Sequence, residues 1–344
     1  MTTPSLIPAG DYRTTYAADT TIFPTTTSRN AAIIGIVLIC FAPLVFTGYW
    51  LSILIQIGIF AIAALGLNIL VGFTGQISIG HAAFFLFGAF TSAYISNNLP
   101  IPVFFAIPLA GLVTALVGLV FGVPAARLKG LYLVIATLAA QYILLDFFSR
   151  ADWFSGGTVP ASANPFSIFG YTFRGDRQYF YVVLAYLVVS YLLVTNLMRT
   201  RDGRALVAIR DNPIAAAAMG INTARYKSIA FGISAMYTGV AGALSALVVQ
   251  FVAPDSFNVF LSISFLVGLV VGGIASIFGA VFGALFIQFV PNIADEISKA
   301  APWAIYGLFL LAFMYLLPRG VAGLLNALRV RFSAQQAPPR PRAG

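Results

Sequence analysis

Polar side chains are sparse inside the apolar stretches of this sequence, and those present are hydrogen-bonding rather than reactive types. Asn68, Gln76, Ser78, His81, Thr137 and Gln141 all stand in hydrophobic surroundings. Polar groups at membrane depth are costly, so they face a protein interior or a wet path. These six are therefore candidates for a translocation pathway, with interhelical hydrogen bonding as the plainer reading of any one of them. Thr137 and Gln141 are four apart and share one helix face. His81 is the sole histidine, and a lone imidazole among apolar residues is more often a bonded core group than a proton carrier. The sequence holds no Cys/His cluster with metal spacing, no buried carboxylate pair and no Gly-x-x-x-x-Gly-Lys-Ser/Thr phosphate loop. A metal site and ATP hydrolysis by a phosphate loop are both excluded on that ground. Cys40, the single cysteine, has no disulfide partner in the chain.

The elements that must position these groups are long apolar runs. The chain is 60% hydrophobic and 8% charged, with mean hydropathy +0.94, well outside the soluble range. Crossing ~30 Å of hydrocarbon takes roughly 20 residues. Runs of that kind lie at 31–50, 51–72, 77–96, 101–123, 131–148, 178–198, 228–252 and 303–317. A further run, 261–290, is broken by Gly272, Gly273 and Gly279 into halves of about 14 residues, short for a crossing at 1.5 Å per residue. It is expected as a re-entrant hairpin or two short tilted spans. A comparable break, with Gly72, Gly75 and Gly80, joins 51–72 to 77–96. The fold class expected is an all-α polytopic membrane protein of about 8–10 transmembrane or re-entrant helices. Two interrupted segments point to an inverted repeat with the pathway between its halves, although 51–148 and 228–317 show no residue-level likeness. Small-residue rows Gly239/Gly242, Gly268/Gly272 and Gly279/Gly283 predict close helix approach.

Charge sets the orientation. Six of the 19 basic residues lie in one island, 199–227. Placing it in the cytoplasm puts 15 basic residues inside and leaves Arg150, Arg174, Arg177 and Lys299 outside, with both termini inside. Three regions result: a cytoplasmic segment 1–30, a membrane domain 31–320 and a basic tail 321–344. Residues 1–30 lack the pattern of a signal peptide. The net charge of +9 flanks membrane spans, so its partner is anionic lipid and not nucleic acid.

Within the island, Asp211-Asn212-Pro213 reads as a helix start: Asn212 caps, Pro213 fits the first helical position and Asp211 complements the dipole. Alanines follow, including Ala215 and Ala216, then Met219, and Gly220 can take the left-handed stop. A helix of about two turns is too short to stand alone. Either it lies on the bilayer as a connector, or it plugs into a cytoplasmic partner, with Arg204 and Arg210 pairing acidic residues at the rim.

Four stretches carry a resemblance: GLNILVGFTGQISIGHAAFFLFGAF (66–90), LKGLYLVIATLAAQ (128–141), 201–244 and VVGGIASIFGAVFGAL (270–285). They resemble the permease subunits of branched-chain amino acid ABC transporters, the LivM type more than its LivH-type companion. The resemblance implies a second, LivH-type permease subunit, two cytoplasmic ATPase subunits and a periplasmic solute-binding protein. ATP and Mg would then be bound by the partner subunits, and this chain would carry no cofactor. It also implies that the stretch from Ala208 to Gly220 is the segment that couples to the ATPase, in an inner-membrane importer. Three other readings stay open: a permease for urea, an amide or another small polar solute; a self-sufficient secondary transporter; and a non-transporting scaffold.

Overall fold

A computed structural model describes residues 26–99, 102–151, 154, 161–168, 171–173, 175–297, 299, 301–318, 320–325 and 327. Residues 1–25 and most of the basic tail lie outside this set, as does Arg319. The elements in chain order are α1 (Thr26–Cys40), α2 (Ala42–Val45), α3 (Tyr49–Leu67, continued by a π-turn over Asn68–Gly72), α4 (His81–Asn98), α5 (Val103–Ala125) and α6 (Leu131–Arg150). Then come β1 (Ala161–Ser162), β2 (Ser167–Ile168), β3 (Tyr171–Thr172), α7 (Asp176–Arg199), α8 (Arg201–Asp211), α9 (Pro213–Ala218) and α10 (Thr223–Val249). Last are β4 (Phe251–Val252), α11 (Val259–Gly272), α12 (Ile277–Ile297) and α13 (Pro302–Leu316). Eight helical stretches among the described residues are long and apolar enough to cross a membrane. The protein is an all-α polytopic membrane protein.

The packing map reveals an inverted repeat that the residues conceal. Exchange α3, α4, α5 and α6 for α10, α11, α12 and α13, and the helix contacts map onto one another. α5 packs on α10 as α12 packs on α3, and α4 on α10 as α11 on α3. The pairs α4–α5 and α11–α12, α4–α6 and α11–α13, and α5–α6 and α12–α13 match likewise. The end of α3 and the start of α10 lie at one end of the bundle, where Gln76 Nε2 donates to Lys227 O. The two halves therefore run in opposite directions.

This symmetry corrects the expected match between the breaks. The counterpart of 73–80, which leads from α3 into α4, is 250–258, which leads from α10 into α11. The turn 273–276 instead corresponds to the α4–α5 connection. Nor is the hairpin made of two short halves: α11 has 14 residues but α12 has 21, enough at 1.5 Å per residue for about 31 Å.

Two more boundaries differ from expectation. The run 31–50 is not one span but α1 and α2. Pro43 lacks the N–H that a continuing helix needs, and Gly48 turns the chain with φ +55°. The break after α3 runs to residue 80, so α4 starts at His81 rather than 77. Backbone is diverted there, since Ile79 N donates to Thr137 Oγ1 at 3.1 Å.

Glycine pairs set the helix spacing. A Cβ on Gly242 would strike the Phe85 carbonyl, one on Gly88 the Gly239 backbone, and one on Gly272 the Gly279 carbonyl. α4 thus lies backbone-to-backbone on α10, and α11 on α12, as the small-residue rows predict. The outward faces of α5 and α6 expose Leu112, Leu116, Val120, Tyr132 and Ile143, which suit lipid.

Candidate functional site

At the centre of the bundle two helices begin head to head. The first N–H groups of any helix lack intrahelical partners, and here side chains supply them. Ala82 N donates to Ser262 Oγ (2.8 Å) and Ala83 N to Gln141 Oε1 (2.7 Å). Ser262 Oγ donates to the same Gln141 oxygen (3.2 Å), while Gln141 Nε2 donates to Phe257 O (2.8 Å). One glutamine on α6 therefore stitches the start of α4 to the non-helical stretch before α11. Thr137, one turn earlier on that face, holds Ile79, and Gly80 presses on its backbone with no room for a Cβ.

His81 completes the fastening. Ser234 Oγ donates to Gly66 O (2.7 Å), so it can only accept from His81 Nε2 (2.7 Å). The imidazole then carries its proton on Nε2, and Nδ1 accepts from Ser78 Oγ (2.9 Å). A neutral histidine bonded at both nitrogens ties α3, α4 and α10 together. It lies 1% exposed.

Towards the basic end, the two glycine breaks meet. Asn68 Nδ2 donates to Ser276 O (2.9 Å), and its Oδ1 accepts from Ala275 N (3.0 Å). Gly72 lies against Ala275, where a Cβ would come within 2.7 Å of its nitrogen. Thr74 Oγ1 donates to Ile69 O (2.8 Å), a carbonyl within the π-turn. Gly75 (φ +72°) and Gly273 (φ +115°) occupy conformations that favour glycine. Gly279 N is capped by Ser276 Oγ.

Below the breaks sits the island, which folds into two helices rather than one. α8 is capped by Thr200, whose hydroxyl accepts from Gly203 N, and it buries Gly203, Ala205, Leu206 and Ile209. α9 has the limits the sequence predicts. Asn212 Oδ1 accepts from Ile214 N (3.0 Å) and Ala215 N (3.1 Å), Pro213 takes the first position, and Gly220 stops the helix at φ +83°. Gly220 N donates to Ala217 O and Ile221 N to Ala216 O, the paired bonds of a glycine C-terminus. Ile214 and Met219 stand 79% and 84% exposed.

A family model described as "Branched-chain amino acid transport system / permease component" matches residues 49–318. The chain belongs to that family. Two relatives described as "High-affinity branched-chain amino acid transport system permease protein LivM", from Salmonella typhimurium LT2 and Escherichia coli K12, are each 30% identical to it over 281 residues. The match covers 75% of this chain and 66% of each relative, so the chain spans a little under two thirds of their length. No solved structure matches significantly.

For a permease of this family, the position of each candidate residue matters. Asn68, Gln76, Ser78, His81, Thr137 and Gln141 are all buried, and each is hydrogen-bonded within the chain. They gather along the breaks as fasteners; only the group from Gln76 to His81 is expected at a break from the sequence. On the island, two expectations are corrected. Ala216 is not a contact face; it is 4% exposed, on the side where α9 packs on α8 and α10. Arg210 is not free for a partner's rim, because its guanidinium donates to Gly72 O (3.1 Å) and to Asp211 Oδ1 (2.9 and 3.0 Å). Arg204, Ala215, Met219 and Gly220 do face outward, and Ala208 is half-buried. Sequence reasoning missed Ser234, Ser262 and the second break at 250–258. The cluster Pro254-Asp255-Ser256 with Asn258 is a turn signal that could have found it.

Proposed function

We propose that this chain is the membrane subunit of an ABC importer for branched-chain amino acids, and that α9 docks on a cytoplasmic ATPase. The exposed, doubly capped α9 is the observation that carries the reading. A six-residue helix presenting Ile214 and Met219 to water is stable and sensible when a groove covers it. Arg127 and Lys129 flank the same end, where Ser228 donates to Gly122 O. The positive-inside bias makes that end cytoplasmic, with both termini on the cytoplasmic side of the bacterial inner membrane. The partners are a LivH-type permease, two ATPase subunits that bind ATP and Mg, and a periplasmic solute-binding protein.

In this reading the six buried polar residues hold the broken helices in place. The pathway runs along the surface shared with the second permease, since the bundle's own centre is filled by bonded side chains. A zwitterion with an aliphatic side chain suits a path with few fixed charges.

Purification of the full chain from its native membrane in mild detergent, followed by mass spectrometry and leucine uptake in liposomes, tests the reading. Two ATPases and a second permease should co-purify, and uptake should require ATP. A chain that purifies alone and still carries leucine overturns it. ATP-driven uptake of urea or an amide in place of leucine would keep the architecture and change the solute.

A further inference from the structure

We propose that Arg210 and Asn68 are positioning residues that carry a displacement of α9 to the turn between α11 and α12. The proposal rests on the docking reading above and adds the route by which docking reaches the broken helices. Three contacts lie in series. Arg210, at the end of α8 just before α9, donates from Nη1 to Gly72 O at 3.1 Å. Its side-chain stem lies on Gly75, where a Cβ would come within 3.1 Å of Cγ. Gly72 closes the π-turn 68–72. Asn68, at the other end of that turn, grips Ser276 O and Ala275 N at 2.9 and 3.0 Å.

Each joint is of a kind that can move. A π-turn is a rare one-turn departure from the α-helix around it, and such turns are frequent at functional sites. Ala275 holds φ +63°, a strained conformation for a residue with a side chain, kept only while its neighbours hold it. The Asn68 amide and the Gly72 contact are those neighbours. Pulling Gly72 O through Arg210 therefore bears on Ala275 directly, and on Ala275 and Ser276 through Asn68. The competing role for Arg210 is a static one, a cation closing the C-terminal end of α3. That role predicts a loss of stability in its variants but no loss of communication.

Hydrogen exchange by mass spectrometry on the whole transporter in lipid nanodiscs, with and without a non-hydrolysable ATP analogue and Mg, separates the two. In the wild type, nucleotide should alter exchange at 205–220 and at 272–279. In Arg210→Ala the response at 205–220 persists, while that at 272–279 falls about 10-fold, and uptake per ATP hydrolysed falls with it. Arg210→Lys should restore much of both, because an ammonium reaches the same carbonyl. Asn68→Ala should silence 272–279 as well, and the double variant should be no worse than either alone, as members of one series require. An undiminished response at 272–279 in Arg210→Ala, or losses that multiply in the double variant, overturns the relay. A wild type with no response at 205–220 overturns the docking reading, and the relay with it.

Discussion

The polar centre of the bundle and the loop at its basic end use similar residues for opposite purposes. In the centre, Asn68, His81 and Gln141 are 0–1% exposed, and their side chains are bonded within the chain. In the loop, the Asn212 side chain caps its own helix, and the side chains beside it that carry apolar area, Ile214 and Met219, lie open to water. A satisfied buried network fixes geometry and offers nothing further to a ligand. An exposed apolar knob on a short rigid helix adds nothing to folding and has its use in contact. The difference teaches that polarity at membrane depth marks, in this chain, how the broken helices are held, while the means of doing work lie at the edge.

The comparison breaks most readily where backbones touch. Gly242→Leu drives a side chain into the Phe85 carbonyl, and neither helix can yield without moving α4 off α10. A loss of about 4 kcal/mol is expected, seen as a collapse of thermal unfolding temperature and yield in detergent. Normal stability in this variant would mean that α4 and α10 are not tightly packed. The loop should behave in the reverse way. Ile214→Asp combined with Met219→Asp should leave the unfolding temperature unchanged yet weaken ATPase binding by about 2–3 kcal/mol. Binding measured by titration of purified ATPase would show it, and an unaltered affinity would remove the knob from the interface.

His81 sharpens the contrast at the next level of effect. His81→Ala leaves Ser78 and Ser234 without their partner and opens a cavity, costing about 2 kcal/mol. His81→Gln keeps one donor and one acceptor on a side chain of similar reach, and it should retain most stability and uptake. Loss of uptake in His81→Gln with stability intact would place the imidazole in transport itself.

Much of this arrangement was legible from residue types. The α9 cap, its proline and its glycine stop follow from local backbone chemistry, which does not depend on distant parts of the chain. Thr137 and Gln141 on one helix face, and the glycine rows, follow from helical period. What stayed hidden depends on long-range pairing. Ser234 and Ser262 are single hydroxyls in small-residue helices, and only the fold brings them to His81 and Ala82. The inverted repeat is visible in which helices pack together and not in any shared motif, so the break 250–258 went unmatched to 73–80. Arg210 reads as a free surface cation until the fold brings Gly72 O within 3.1 Å.

The smallest expected effect falls on the cap of α9, and it tests whether the loop is rigid in its own right. Asn212→Ala removes the acceptor for Ile214 N and Ala215 N, which costs about 1 kcal/mol at a typical helix start. Six residues have almost no intrinsic helical stability, so this loss should appear locally. Exchange at 213–219 should rise, ATPase affinity should fall about 5-fold, and the unfolding temperature of the bundle should not change. Asn212→Asp should restore the wild-type behaviour, because a carboxylate accepts the same two bonds and suits the helix dipole. The other support of α9 is buried Ala216, whose carbonyl accepts from Ile221 N at 3.1 Å. Unchanged exchange in Asn212→Ala would therefore shift the rigidity of the knob from its cap to its packing on α8 and α10, and with it the origin of the loop's readiness to dock.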